Sequence, residues 1–282
     1  MKTKLIRSLF TAACAVSASL VGSPAAAQDF SNLTAGDWKF HAQVYFWFPS
    51  VSGKTMFPPP ATGGTTVNAD AGDILDALQF AFMGTFDARK GKLGMLTDYI
   101  YLNMEADKSA TRDLTLTGPG GNLALPAGAS ADLEVALKGW AWTLAGTYTA
   151  IETPSYQLDV LAGTRLLKMD TTISWRLNGN LGSLAVARTG ANTAKPDWWD
   201  AIVGVRGRAR FGEGGKWFVP YYADIGTGQS DLTLQAMAGF GYTFSWGEIV
   251  GVYRHLEYSF DSSKALQDIS FTGPAIAVGF RW

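Results

Sequence analysis

Cysteine is all but missing: Cys14 is the only one in 282 residues, which excludes an intrachain disulfide and any dithiol chemistry. Histidine is nearly as scarce, with His41 and His255 alone. Two imidazoles on separate segments, with no cysteine beside them, make no metal site. Positive charge is not in excess, at 23 Lys plus Arg against 24 Asp plus Glu, and that balance argues against a nucleic-acid partner. Beyond the N-terminal region no run approaches 18 consecutive apolar residues, so no membrane-spanning helix is expected. The glycines of "TGPGGN" and "GEGGKW" have no helix pattern behind them, so no phosphate-binding loop and no cofactor is implied.

What is present begins with an export signal. Lys2, Lys4 and Arg7 precede an apolar stretch from Leu9 to Val21, and Ala25 and Ala27 supply the small residues that a signal peptidase needs. Residues 1–27 are therefore expected to be a cleaved signal peptide, and 28–282 one domain. Cys14 falls inside the signal. Without its three basic residues the chain carries 20 basic and 24 acidic side chains.

The rest of the chain alternates with period two, the signature of strands with one apolar face. In the first run, Trp38, Phe40, Ala42, Val44, Phe46 and Phe48 alternate with Lys39, His41, Gln43, Tyr45 and Trp47. Nine more runs follow, at about Leu78–Ala88, Lys92–Met104, Asp132–Ala150, Tyr156–Arg176, Trp198–Phe211, Trp217–Gly226, Leu232–Phe244, Ile249–Phe260 and Ile269–Trp282. The connections "RKGK", "IETPSY", "FGEGGK" and "SWGE" are short, whereas Pro49–Ala77, Glu105–Ala131 and Leu177–Asp197 are long. Short turns at one end and longer loops at the other predict an all-β, up-and-down antiparallel outer-membrane barrel of about ten strands, with periplasmic turns and extracellular loops. Within the first loop, "AGDILDALQF" predicts one amphipathic turn of helix.

The polar faces carry charge in mid-strand. Asp87, Asp98, Asp159, Asp200 and Asp224 stand against Arg89, Arg165, Arg206, Arg208 and Arg254. A soluble barrel could not hold so many ions in its core without large cost. A membrane barrel turns its apolar face to lipid, and its lumen takes the charges. These ten residues are expected to form a neutral ion-pair network that narrows the bore. The last strand, "IAVGFRW", must close against the first, and its aromatics Phe280 and Trp282 are expected to serve as the assembly signal. The partners this implies are outer-membrane lipid and lipopolysaccharide and the barrel-assembly machinery.

"DARKGKLGMLTDYIYL" (Asp87–Leu102), "WWDAIVGVRGR" (Trp198–Arg208), "DIG" (Asp224–Gly226), "GFGYTFSW" (Gly239–Trp246) and "VYRHLEY" (Val252–Tyr258) resemble a widespread, mostly uncharacterised family of proteobacterial outer-membrane β-barrel proteins. The resemblance runs from about Trp38 to Trp282. It implies a fold and a location in the outer membrane of a Gram-negative bacterium, and no particular activity.

Enzyme chemistry at an outer rim would need an Asp/His constellation, or a His activating a Ser with a third residue behind it. His255, Ser259 and Asp261 are the one conceivable set; His255 reads better as an interfacial residue, and His41 as a hydrogen-bonding group of the lumen. The expectation is a non-enzymatic barrel with a structural or narrow small-solute channel role. An outer-rim enzyme acting on lipid or peptide, and surface binding through the long loops, are the alternatives.

Overall fold

The computed structural model describes residues 36–55, 65–111, 115–118, 121–124, 130–181, 184–195, 197–261 and 266–282. The expected signal peptide lies outside the described residues. The strands are β1 (Trp38–Trp47), β2 (Ser50–Thr55), β3 (Thr65–Ala69), β4 (Leu78–Lys90), β5 (Leu93–Thr111), β6 (Thr115–Gly118), β7 (Gly121–Ala124) and β8 (Ser130–Glu152). They continue as β9 (Tyr156–Leu181), β10 (Leu184–Ala194), β11 (Asp197–Phe211), β12 (Trp217–Gly228), β13 (Leu232–Thr243), β14 (Glu248–Ser259) and β15 (Leu266–Arg281). One seven-residue helix, α1 (Ala71–Ala77), precedes β4. Among the described residues no helix is long and apolar enough to cross a membrane, which says nothing of strands.

Ten of these strands close a ring in the order β1-β4-β5-β8-β9-β11-β12-β13-β14-β15, every neighbour antiparallel, with β15 returning to β1. Closure runs from His41 opposite Arg281 to Trp47 opposite Ala275. Phe40 and Trp282 finish it by exchanging backbone bonds of 2.9 and 3.2 Å. A closed ring leaves no sheet edge within it, the condition for a sheet to sit in lipid. At the short-turn end Gly91 adopts φ 58° in the tight turn between β4 and β5, a conformation glycine takes without a steric penalty.

Among the described residues, the three stretches expected to be long loops are mostly sheet. β5, β8 and β9 run on past the ring, and residues 184–194 pair back on β9 as β10, Leu184 opposite Leu181 through Ala194 opposite Thr171. A small hairpin, β6 with β7, lies between β5 and β8. After β1 the chain passes Pro49, which has no N–H for the ladder, and resumes along β15 as β2, with Ser50 opposite Thr272. β3 then pairs with β2. Beyond the ring, sheet no longer needs one apolar and one polar face, so the alternation fades while the backbone pairing continues. The expected helical turn is α1. Its capping box joins the Asp70 carboxylate to the Asp73 N–H at 2.9 Å, and Ile74 and Ala77 are buried.

The outer surface is apolar. Val44, Phe46, Phe80, Phe82, Val203, Phe240 and Tyr253 all point outward and are exposed, Phe240 by 63%. Around the short-turn rim the aromatics touch in a chain: Trp217 with Tyr242 at 4.9 Å, Tyr242 with Phe244 at 4.7 Å, Phe244 with Trp246 at 5.4 Å and Trp246 with Phe280 at 5.9 Å. Across the seam Phe40 stacks on both Trp38 and Trp282. An apolar belt with an aromatic girdle is the surface of a barrel that stands in lipid.

Candidate functional site

The interior has three layers. The first, at the short-turn end, is a charged cavity of about 600 Å3. Its ions come from β1, β4, β8, β9, β11, β14 and β15, because inward positions recur at every second residue. Arg206 of β11 joins Asp87 of β4, and its Nε lies 3.5 Å from Asp159 of β9. Asp159 also accepts from the Thr149 hydroxyl at 2.8 Å and from Gln157 Nε2 at 3.0 Å. Arg89 donates to Thr149 at 3.2 Å and pairs with Glu152 at 2.7 Å.

Glu248 is the hub of this layer's other side. It is 1% exposed. It receives His41 Nε2 at 3.0 Å, Arg208 at 3.0 Å, Arg281 at 2.5 Å and the Gln43 amide at 3.2 Å. His41 Nδ1 lies 3.7 Å from Asp87, which links the two sides. The Arg208 guanidinium covers the Phe218 ring at 4.5 Å. That ring fits only because Gly241 opposite it has no side chain: a Cβ there would stand 2.2 Å from Phe218.

The second layer is a pair of buried forks. Arg165 grips both oxygens of Asp224, one at 3.0 Å, and donates to Thr143 at 3.1 Å and Thr233 at 3.3 Å. The Tyr222 hydroxyl donates to the same Asp224. Arg254 pairs with Asp98 at 2.7 Å and donates to Gln235 at 2.8 Å and the Tyr45 hydroxyl at 2.9 Å. Tyr45 in turn donates to Asp98 at 2.7 Å. Charge-assisted bonds of this kind are the strong ones, and a buried ion needs its remaining donors met.

The third layer is apolar and was not expected. Trp47, Met83, Ile100, Leu167, Leu256, Tyr258, Phe260 and Ile269 all point inward beyond the forks and pack as one buried cluster. Tyr258 is 0% and Leu256 2% exposed. Arg254 lies on the Trp47 ring at 4.9 Å, joining the second layer to the third. The reading of the whole lumen as a charged network is thus corrected: charge occupies the short-turn half and the middle, and hydrocarbon fills the far half. The sequence shows why this was missed. On β1, β4 and β5 both faces of the distal part are apolar, as in Phe46 beside Trp47, Phe82 beside Met83 and Tyr101 beside Ile100, so alternation no longer separates them there.

Of the ten predicted residues, Asp87, Asp98, Asp159, Arg165, Arg206, Asp224 and Arg254 meet one another. Arg89 and Arg208 meet Glu152 and Glu248, two acids outside the predicted set. Asp200 stands apart: it accepts the Ser230 N–H at 2.9 Å and the Ser230 hydroxyl at 2.7 Å, fixing the turn between β12 and β13. Glu248 had a readable signal, since it keeps the phase of Val250, Val252 and Arg254, but it lies beside the turn "SWGE". His255 faces outward and sits 2.6 Å from the Thr272 hydroxyl and 3.3 Å from Glu257. Among the described residues no cluster of His, Cys, Asp and Glu is arranged to hold a metal.

Fold and interior together define a closed membrane β-barrel with a layered lumen, open as a cavity at one end and packed with side chains toward the other. No family model matches the chain, and no curated protein does. Among solved structures, the chain is similar to the outer membrane protease OmpT of Escherichia coli, with 10% identity over 88% of this chain and 97% of that one and a TM-score of 0.49. It is also similar to Ail, the attachment invasion locus protein of Yersinia pestis (7% identity, 87% and 98% covered, TM-score 0.30). A third is the Pseudomonas putida toluene transporter TodX (12% identity, 86% and 88% covered, TM-score 0.32). These likenesses carry no inference about activity.

Proposed function

We propose that this chain is an outer-membrane barrel of a Gram-negative bacterium with a structural role, or at most a narrow path for small solutes, and that it is neither a general porin nor an enzyme. The short-turn end then faces the periplasm, and the extended strands face outward. Its partners in this reading are outer-membrane lipid, lipopolysaccharide and the barrel-assembly machinery. The observation that carries the reading is the apolar layer. A barrel of this strand number has little more interior than its own side chains fill, and here seven large side chains from β1, β4, β5, β9, β14 and β15, with Phe260 just past β14, meet across it. Water and ions that reach the charged half from one side meet hydrocarbon halfway.

Planar-bilayer conductance tests this. The native protein is expected to show no steady, porin-sized current. Such a current would show that the apolar layer parts in the membrane, and the structural reading would fall.

A further inference from the structure

The charged half of the lumen is a blind cavity, and its walls do not balance. They carry seven Lys and Arg side chains against the four carboxylates of Asp87, Asp98, Glu152 and Asp159. Glu248, just behind the wall, offsets one cation more through Arg208 and Arg281. Two positive charges remain over. They fall to Lys39 and Arg210 at the mouth, neither of which has a carboxylate within ion-pair distance among the described residues. Glu152, close to both, is already held by Arg89 at 2.7 Å.

A second observation points the same way. Arg254 Nε is buried and has no hydrogen-bond acceptor among the described residues. Arg254 is 5% exposed and lies at the cavity floor. An unmet donor of this kind is costly in a finished interior, and a ligand oxygen would meet it. The remaining inward wall is apolar and aromatic, with Phe218, Tyr222, Met237, Val250 and Val252. A volume of about 600 Å3 is that of a small-molecule site.

We infer that the cavity is a binding site for a small organic anion: an acidic group (carboxylate, phosphate monoester or sulfonate) on an apolar body, entering from the short-turn end. Lys39 and Arg210 draw the anion to the mouth, where like-signed charge in a low-dielectric cleft raises its local concentration. The arginines of the wall take the acidic group, and the rings take the body. The inference uses the closed bore only for the cavity's blind end. Conductance reads that closure and ligand binding reads this site, so either can fail alone.

The test is calorimetric titration of the full chain, folded in zwitterionic detergent, with phenyl phosphate and with benzylamine. Phenyl phosphate is expected to give saturable heat, and benzylamine none. The double variant Lys39→Glu with Arg210→Glu, both at the rim and outside the buried pairs, is expected to weaken phenyl phosphate binding by about tenfold or more, the scale of one charge-assisted bond. Lys138→Glu makes the same kind of charge reversal, once rather than twice, on an exposed position outside the cavity lining and is expected to leave the affinity unchanged. Heat-modifiable gel migration verifies that each variant is a closed barrel. Equal binding of benzylamine, no saturable heat with phenyl phosphate, or full affinity in a well-folded double variant would each overturn the proposal.

Discussion

Arg165 and Arg206 make the same kind of contact in different surroundings. Arg165 and Asp224 expose 1% and 0% of their side chains, whereas Arg206 is 20% exposed and borders the cavity. Removing one partner of a dry pair leaves a buried charge alone, at a cost of about 3–5 kcal/mol. Arg165→Ala is therefore expected to lower the temperature at which the barrel loses its heat-modifiable migration. Arg206→Ala is expected to lower it by less, because cavity water can solvate the part-exposed Asp87 and Thr149 and Gln157 still donate to Asp159. Equal shifts would mean that the forks around Arg165 are as wet as the cavity. Which charged residues point inward was legible from alternation alone. Which of them meet was not: the partner of each arginine depends on the stagger between strands, and that is set by closure of the ring. Arg208 reaches Glu248 on β14 and Arg165 reaches Asp224 on β12, pairings that no spacing along the chain encodes.

Among the elements, β15 closes the ring: it hydrogen-bonds β14 on one side and β1 and β2 on the other. Deleting Phe280–Trp282 would remove the Arg281 contact to Glu248, two ladder positions against β1 and the reciprocal bonds between Phe40 and Trp282. It would also take Phe280 and Trp282 out of the girdle. An open seam in lipid leaves backbone donors unmet, so the truncated chain is expected to fail to accumulate in the membrane, as read by fractionation and blotting. Normal membrane levels would show that the last three residues are dispensable for closure. The ring strands were legible because one face of each had to be apolar. β2, β3 and β10 were not, because "SVSGKT", "TTVNA" and "LAVARTGANTA" mix small and polar residues on both faces.

On the scale of the whole molecule, the barrel is lopsided. β9 pairs with β11 only as far as Lys168 opposite Asp197, and then continues for 13 residues in company with β8 and β10 alone. A membrane asks for about 9–11 residues of each strand, so this flap stands clear of the bilayer on one side, with β10 as its free margin among the described residues. A protease could therefore shave it. Trypsin cleaving after Arg188 would nick a chain whose ring pairings all lie elsewhere. The nicked molecule is expected to migrate unheated as one folded body and to part into two fragments on boiling. On whole cells the same scission acts as a compass. Cutting without breaching the envelope places the flap on the cell exterior and the charged cavity toward the periplasm, and cutting only after the envelope is opened would turn the molecule upside down.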